Sequence, residues 1–424
     1  MNTNWNTLDK AALIFPSSVD KADTNVFRFT CELNGDHGVE PDILQTALNE
    51  TMESFDLFRC VLKRGLFWYY FENSNLKAEV KEEYRKLCDT LYDKRMKNLL
   101  YEITYYGNRI NLEMFHGLSD GTGAMHFLSM LVANYLSLKH DINARIIDYD
   151  ASHNQMQEDS FYKYYTGNPK KKYPKQSLAC ELKGTKYAEN QIRVITGKMS
   201  VKAILTETRK HKTTLTAFLC ACLLNSIADD ITLNQRKKPV TVSIPVNLRN
   251  YFPSQSARNF FSIVLIGYDY FRDTNNFDDV LGKVTLDLRN KLTREYLTDS
   301  INNTISAAYN PFAKIAPLVL KDIVLKSAYR HSQKLRTATL SNVGIIKLPA
   351  ELEKYVASFS VCASTNTLQA CICSYGDNLT VSFTTPFISS DIERRFFRMI
   401  VDYGIDVEIT SNTEGLEKDD KILR

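Results

Sequence analysis

Strand-like and helix-like runs alternate on both sides of one polar break, and few folds are open to a chain built this way. The break is EDSFYKYYTGNPKKKYPKQS (158–177), with two prolines, a lysine run and no apolar period. Before it, VFRFTCEL (26–33) alternates as a strand does, and PDILQTALNETMESF (41–55) spaces Ile43, Leu44, Leu48 and Met52 as a helix does, with Pro41 in its first turn. RGLFWYYFE (64–72) reads as an aromatic strand. LLYEITYYG (99–107) and RINLEMFH (109–116) read as a hairpin around Gly107-Asn108, and a strongly helical run follows at 121–140. After the break the pattern restarts with a strand at 191–200 and a buried helix at 215–229 that Thr214 can cap. Strands at 238–249 and 260–271, helices at 277–292 and 312–331, and a late strand cluster over 338–387 complete it. Ser390 and Glu393 have the spacing of a capping box, and the tail 414–424 is polar enough to fray. The expected architecture is therefore α/β (α+β), with two lobes of mixed strands and helices, 1–170 and 178–424, and a site between them.

Bulk composition narrows the function classes. The 424 residues include 53 Lys and Arg against 49 Asp and Glu, a net charge of +4, so no nucleic-acid partner is indicated. Nine cysteines lack C-x-x-C spacing and lack histidines at zinc-ligand spacing, so no metal is expected and the thiols read as reduced core residues. The N-terminal MNTNWNTLDKAALIF has no basic, apolar leader pattern, and no apolar stretch reaches 18 residues. A cytoplasmic, soluble protein without a membrane span is the expectation.

One motif carries chemistry. In MFHGLSDGTG (114–123), His116 leaves a strand on the face of Ile110, Leu112 and Met114, and Asp120-Gly121 opens a helix. An imidazole titrates near neutral pH, so at such a strand end it can take the proton of a hydroxyl or amine attacking a thioester carbonyl. A base of this kind contributes roughly 10²–10⁴ in rate, leaving the rest to positioning and oxyanion stabilisation. A histidine on an apolar face is equally explained as a core residue. Asp120 either pairs with the imidazole, as in a triad, or pairs with an arginine and caps the helix; the second is favoured, with Gly121 and Gly123 supplying backbone freedom.

HGLSDG resembles the H-x-x-x-D-G signature of thioester-dependent acyltransferases with the chloramphenicol acetyltransferase-like fold. These include condensation domains, plant acyltransferases, polyketide-associated acyltransferases and alcohol acetyltransferases. SIPVNLR (243–249) is similar to their P-V-x-x-R strand, and NFFS (259–262) to the G-N-x-x-S/G stretch. TTLTAFLCACLL (213–224) resembles their T-x-x-x-x-L-x-A helix, and SNVG (341–344) their S-N-x-G segment. The matches run in order along nearly the whole chain and are nearest the bacterial alcohol acetyltransferase-like and polyketide-associated members.

The resemblance implies a pseudo-dimer of two lobes with a tunnel between them, and transfer of an acyl group from acyl-CoA to an alcohol or amine. His116 would be the general base, Asp120 would be structural and paired with Arg249, and Gly121 would support the turn. Ser341, Asn342 and Phe115 would border the tunnel. No cofactor would be bound permanently: the co-substrate would be acyl-CoA or an acyl-phosphopantetheine, the latter brought by an acyl carrier protein. A non-catalytic binding protein on the same fold is the remaining alternative. The chain departs from the pattern at Phe115, where peptide-forming condensation domains carry a second histidine, and at Arg258, where a glycine is common. Lys170–Lys172 read as a solvated linker or as a contact for the donor's phosphates.

Overall fold

The computed structural model describes residues 5–9, 12–21, 23–35, 38–144, 146, 159–167, 176–189, 191–309 and 315–413. The first half contains β1 (Trp5–Thr7), α1 (Ile14–Ser18), β2 (Val26–Leu33), α2 (Pro41–Thr51), β3 (Cys60–Arg64) and β4 (Tyr69–Asn73). Then come β5 (Val80–Glu82), β6 (Tyr101–Tyr106), β7 (Arg109–Phe115), α3 (Gly121–His140) and α4 (Ser160–Lys163). The second half opens with β8 (Arg193–Ser200), α5 (Val201–Lys210), α6 (Leu215–Ala228), β9 (Val240–Asn247) and β10 (Phe261–Tyr268). Helices α7 (Phe277–Lys291), α8 (Arg294–Tyr309) and α9 (Leu318–Gln333) lead into β11 (Ala338–Ile345) and β12 (Val356–Ala363). The last elements are β13 (Leu368–Tyr375), β14 (Asn378–Thr385), α10 (Asp391–Asp402) and β15 (Glu408–Ser411).

Two large sheets organise these elements, one per core. The first has the order β12-β2-β7-β6-β5 and the second β10-β9-β11-β13-β14-β8-β15; β1, β4 and β3 form a small third sheet. The late strand cluster is thus divided: β11, β13 and β14 stay in the second sheet, while β12 crosses over and pairs antiparallel with β2, Phe359 opposite Cys31. All nine cysteines are free and buried. Among the described residues no helix is long and apolar enough to cross a membrane.

Local signals explain many boundaries. Pro41 occupies the first turn of α2, Thr214 accepts from the Ala217 N–H to cap α6, and Gly107 takes φ +56° in the β6–β7 turn. Three expectations about element boundaries need correction. The aromatic run 64–72 is not one strand: the Gly65 N–H donates to the Trp68 carbonyl, making a tight turn between β3 and β4. Ser390 and Glu393 make no capping box, because the Glu393 carboxylate accepts from Arg193 at 2.8 Å, both side chains being buried. The break at 158–177 is not wholly a linker, since Phe161 packs edge-on against Phe260 at 5.2 Å, in the second core's territory. Lys170–Lys172 and the tail 414–424 lie outside the described residues.

The halves are joined at the start of α3. Asp120 is its N-cap: Oδ1 accepts from the Thr122 and Gly123 N–H groups, each at 3.1 Å. Its other oxygen accepts from Arg249 Nη1 at 2.7 Å and from the Phe260 N–H at 2.9 Å, both in the second half. Arg249 then donates to the carbonyls of Ser256 and Arg258, fixing the loop that precedes β10. Neither Gly121 nor Gly123 has positive φ, so backbone freedom is not what these positions require. Gly123 is required by closeness: a Cβ there would lie 2.2 Å from Ser119 Oγ and 2.4 Å from the Ala257 carbonyl oxygen. At Gly121 the nearest atoms would be 3.9 and 4.0 Å away.

Gly123→Ala is therefore expected to cost about 1–3 kcal/mol in chemical denaturation, whereas Gly121→Ala should stay within about 1 kcal/mol of the parent. Asp120→Asn sets an amide NH₂ against two N–H donors in either orientation and removes the counter-charge of the half-buried Arg249. It should cost about 3–5 kcal/mol by the same measurement.

Candidate active site

His116 stands one residue past β7, with its N–H donating to the Asn25 carbonyl at 2.8 Å. Its ring is boxed by aromatics: Phe15 stacks at 4.4 Å between centroids, Phe27 meets it edge-on at 5.2 Å, and Phe261 lies 5.3 Å away. Burial pushes its pKa below the usual imidazole value, although hydrogen bonding and the Asp120 charge pull the other way.

Asn259 sets the tautomer. Its Nδ2 donates to the His116 carbonyl at 3.0 Å, and that oxygen can only accept. The amide's orientation is thereby fixed, and its Oδ1 faces His116 Nδ1 at 3.0 Å. A carbonyl oxygen also only accepts, so Nδ1 carries the hydrogen and Nε2 carries the lone pair. Asn259 is buried, and its own N–H donates to Asp9 Oδ2 at 3.2 Å. Asp9 is pushed up to about 7 by burial, against the pull of Arg258, whose Nε lies 2.9 Å from Asp9 Oδ1. The arginine at position 258 therefore leaves the Asp120–Arg249 pair intact: its side chain turns to Asp9 and only its carbonyl meets Arg249.

Two chambers meet at the imidazole. The larger, about 540 Å³, runs from His116 to Tyr329 and Arg336; the smaller, about 130 Å³, reaches Asp120, Ser341 and Asn342. Phe27, His116, Pro245, Phe261, Ala363 and Gln369 line both. They open where the second sheet splays: β9 and β11 pair only at Val242–Ala338 and Ser243–Thr339, then diverge. Pro245, which has no N–H to leave unsatisfied, sits just beyond that point.

The structure brings His116, Asp120, Gly121, Arg249, Ser341 and Asn342 to one region. In the S-N-x-G segment, Asn342 Oδ1 accepts from the Gly344 N–H at 3.0 Å across a β-bulge, with Gly344 at φ +98°. Asn342 Nδ2 donates to Thr216 Oγ1 at 3.0 Å, tying the bulge to the start of α6. Phe115 is not at the tunnel. Strand alternation turns it away from His116, and its fully buried ring stacks on Tyr92 at 5.2 Å in the first core. Sequence reasoning missed Asn259, although it lies inside the NFFS match. It also missed Asn25, a non-glycine residue at φ +53° whose carbonyl holds His116.

Comparison with known proteins agrees with this architecture. The chain covers 92% of its length with 96% of polyketide synthase associated protein 5 from Mycobacterium tuberculosis, at TM-score 0.61 and 12% identity. A double mutant of the starter condensation domain of rhizomide synthetase RzmA, solved with C8-CoA and Leu-SNAC, matches at TM-score 0.60 and 12% identity over 93% of each chain. TRI3 trichothecene 15-O-acetyltransferase from Fusarium sporotrichioides matches at TM-score 0.57 and 10% identity over 94% of each. These likenesses show a shared fold, the two-lobed chloramphenicol acetyltransferase-like one. No curated protein matches by sequence. The family model described as alcohol acetyltransferase matches residues 147–400, more than half of the chain, and the chain belongs to the alcohol acetyltransferase family.

Proposed function

We propose that this protein transfers an acyl group from an acyl-CoA thioester to an alcohol or amine, with His116 as general base. The observation that carries the reading is the Asn259 clamp, which leaves Nε2 of His116 as a proton acceptor in the wall shared by two chambers. One chamber would hold the thioester and the other the acceptor. The acceptor's O–H or N–H gives its proton to Nε2 as its heteroatom bonds to the thioester carbon. The tetrahedral intermediate then collapses, the C–S bond breaks, and the imidazolium returns the proton to the leaving thiolate.

Asp120 serves as anchor, not as a partner of the imidazole, because both its oxygens are occupied elsewhere. Ser341 lines the smaller chamber, and among the described residues its hydroxyl makes no hydrogen bond, so it is free to donate to the oxyanion. The acyl-CoA complex of the RzmA domain supports a CoA donor. A carrier-bound phosphopantetheine thioester is the second form of the same chemistry, favoured by the likeness to condensation domains. Nine free, buried thiols support a reducing compartment such as the cytoplasm.

The test is thiol release from a panel of acyl-CoAs with pooled alcohols and amines. His116→Ala should lower kcat by about 10²–10⁴-fold while the fold, read by circular dichroism, is kept. Unchanged turnover would remove His116 from the mechanism, and acyl-CoA binding without turnover across the panel would make this a binding protein.

The pH profile gives a second check. Only neutral imidazole is a base, and burial disfavours the imidazolium, so activity should persist as pH falls through 6.5 and be lost only below that. Asn259→Asp sets a carboxylate against the Nδ1–H and favours the charged ring. Its acid limb should shift to higher pH.

A further inference from the structure

The larger chamber contains a cation that the mechanism does not use. Arg336, half-buried between α9 and β11, lines this chamber together with Asp23, Tyr329 and Ser332. Its Nε is buried and has no hydrogen-bond partner, and among the described residues no ion pair reaches its guanidinium. A buried N–H without a partner costs about 1–3 kcal/mol, more for a charged group, so this one calls for an acceptor.

The carboxylate in the chamber does not fill that role. Asp23 Oδ1 accepts from the Asn25 N–H at 3.2 Å and from the Ser364 hydroxyl at 3.0 Å, while Oδ2 accepts from the Tyr329 hydroxyl. With three donors already satisfying it, Asp23 stands beside Arg336 without closing on it. Burial raises the Asp23 pKa and the nearby Arg336 charge lowers it, so the two groups sense one another without a direct bond.

We propose that Arg336 is an anion-binding residue of the larger chamber, receiving a carboxylate or phosphate oxygen of a substrate that reacts at His116. A guanidinium presents several N–H donors in a planar fork, which suits a planar carboxylate or a phosphate group equally. The anion has two sources, a phosphate of the donor's coenzyme arm or a carboxylate on the acceptor. The inference rests on the acyl-transfer reading of this site.

Binding, not turnover, tests it. The full chain and its Arg336→Gln and Arg336→Lys variants are titrated calorimetrically with two pairs of probes. The pairs are CoA with phosphate-free pantetheine, and 6-hydroxyhexanoate with its methyl ester. The parent should prefer the anionic member of one pair. Arg336→Gln should weaken that member by about tenfold or more and leave its neutral twin within about twofold, while Arg336→Lys retains part of the preference. Loss on the CoA arm assigns the donor phosphate, and loss on the hydroxy-acid arm assigns the acceptor carboxylate.

A parent that prefers neither anion overturns the proposal, and so does an Arg336→Gln variant that keeps the preference or weakens both twins alike. If Arg336→Gln does not fold, the parent's preference and the Arg336→Lys titration decide. A protein without turnover that still discriminates through Arg336 would sink the acyl-transfer reading and keep the anion site.

Discussion

The Asp120 carboxylate is the interaction on which the site depends. It accepts four N–H groups, two from the first turn of α3 and two from the second half of the chain. A buried ion pair contributes little net stability, because desolvation offsets attraction; what it does strongly is penalise any arrangement that leaves one partner alone. Here that penalty fixes the loop before β10 against the strand-to-helix turn after β7. Three successive residues of that loop then act in concert. Arg258 gives its carbonyl to Arg249 and its side chain to Asp9, Asn259 clamps His116, and the Phe260 N–H binds Asp120. The imidazole's orientation is inherited from an anchor four residues along the chain.

The space around the imidazole has a different origin. A mixed sheet with continuous pairing would leave no room between its central strands. β9 and β11 keep only two paired positions, and the bulge at Asn342–Gly344 bends β11 beyond them. The cost of that interruption is contained locally: Pro245 has no donor to lose, and Asn342 satisfies Gly344 and Thr216 with its own amide. The same few residues thus open the seam and satisfy the backbone groups beside it.

Much of this was legible in the sequence because it is local. A proline in a first turn, a threonine before an apolar run and a glycine between two alternating strands each act within a few residues, and Pro41, Thr214 and Gly107 behave as such residues should. The H-x-x-x-D-G spacing located the imidazole and its anchor for the same reason. What stayed hidden is what distant partners decide. Glu393 has the spacing of a cap, yet a buried Arg193 200 residues away outcompetes the helix end. Phe115 adjoins the site in sequence and is turned from it by the pleat. The role of Asn259 depends on which oxygen its amide meets 143 residues away, a fact no spacing contains.

The crossing of β12 has a temporal consequence. Its pairing with β2 joins residues more than 320 positions apart, and contacts of such separation form late and slowly. A chain emerging from the ribosome displays His116 early, but β2 keeps an open edge until residue 363 has been made. Asn259 and Arg249 also arrive long after the turn they stabilise. A nascent or truncated chain therefore carries the histidine without its tautomer, its anchor or its chambers. The two chambers can close only once segments as far along as Ala363 and Gln369 have been made.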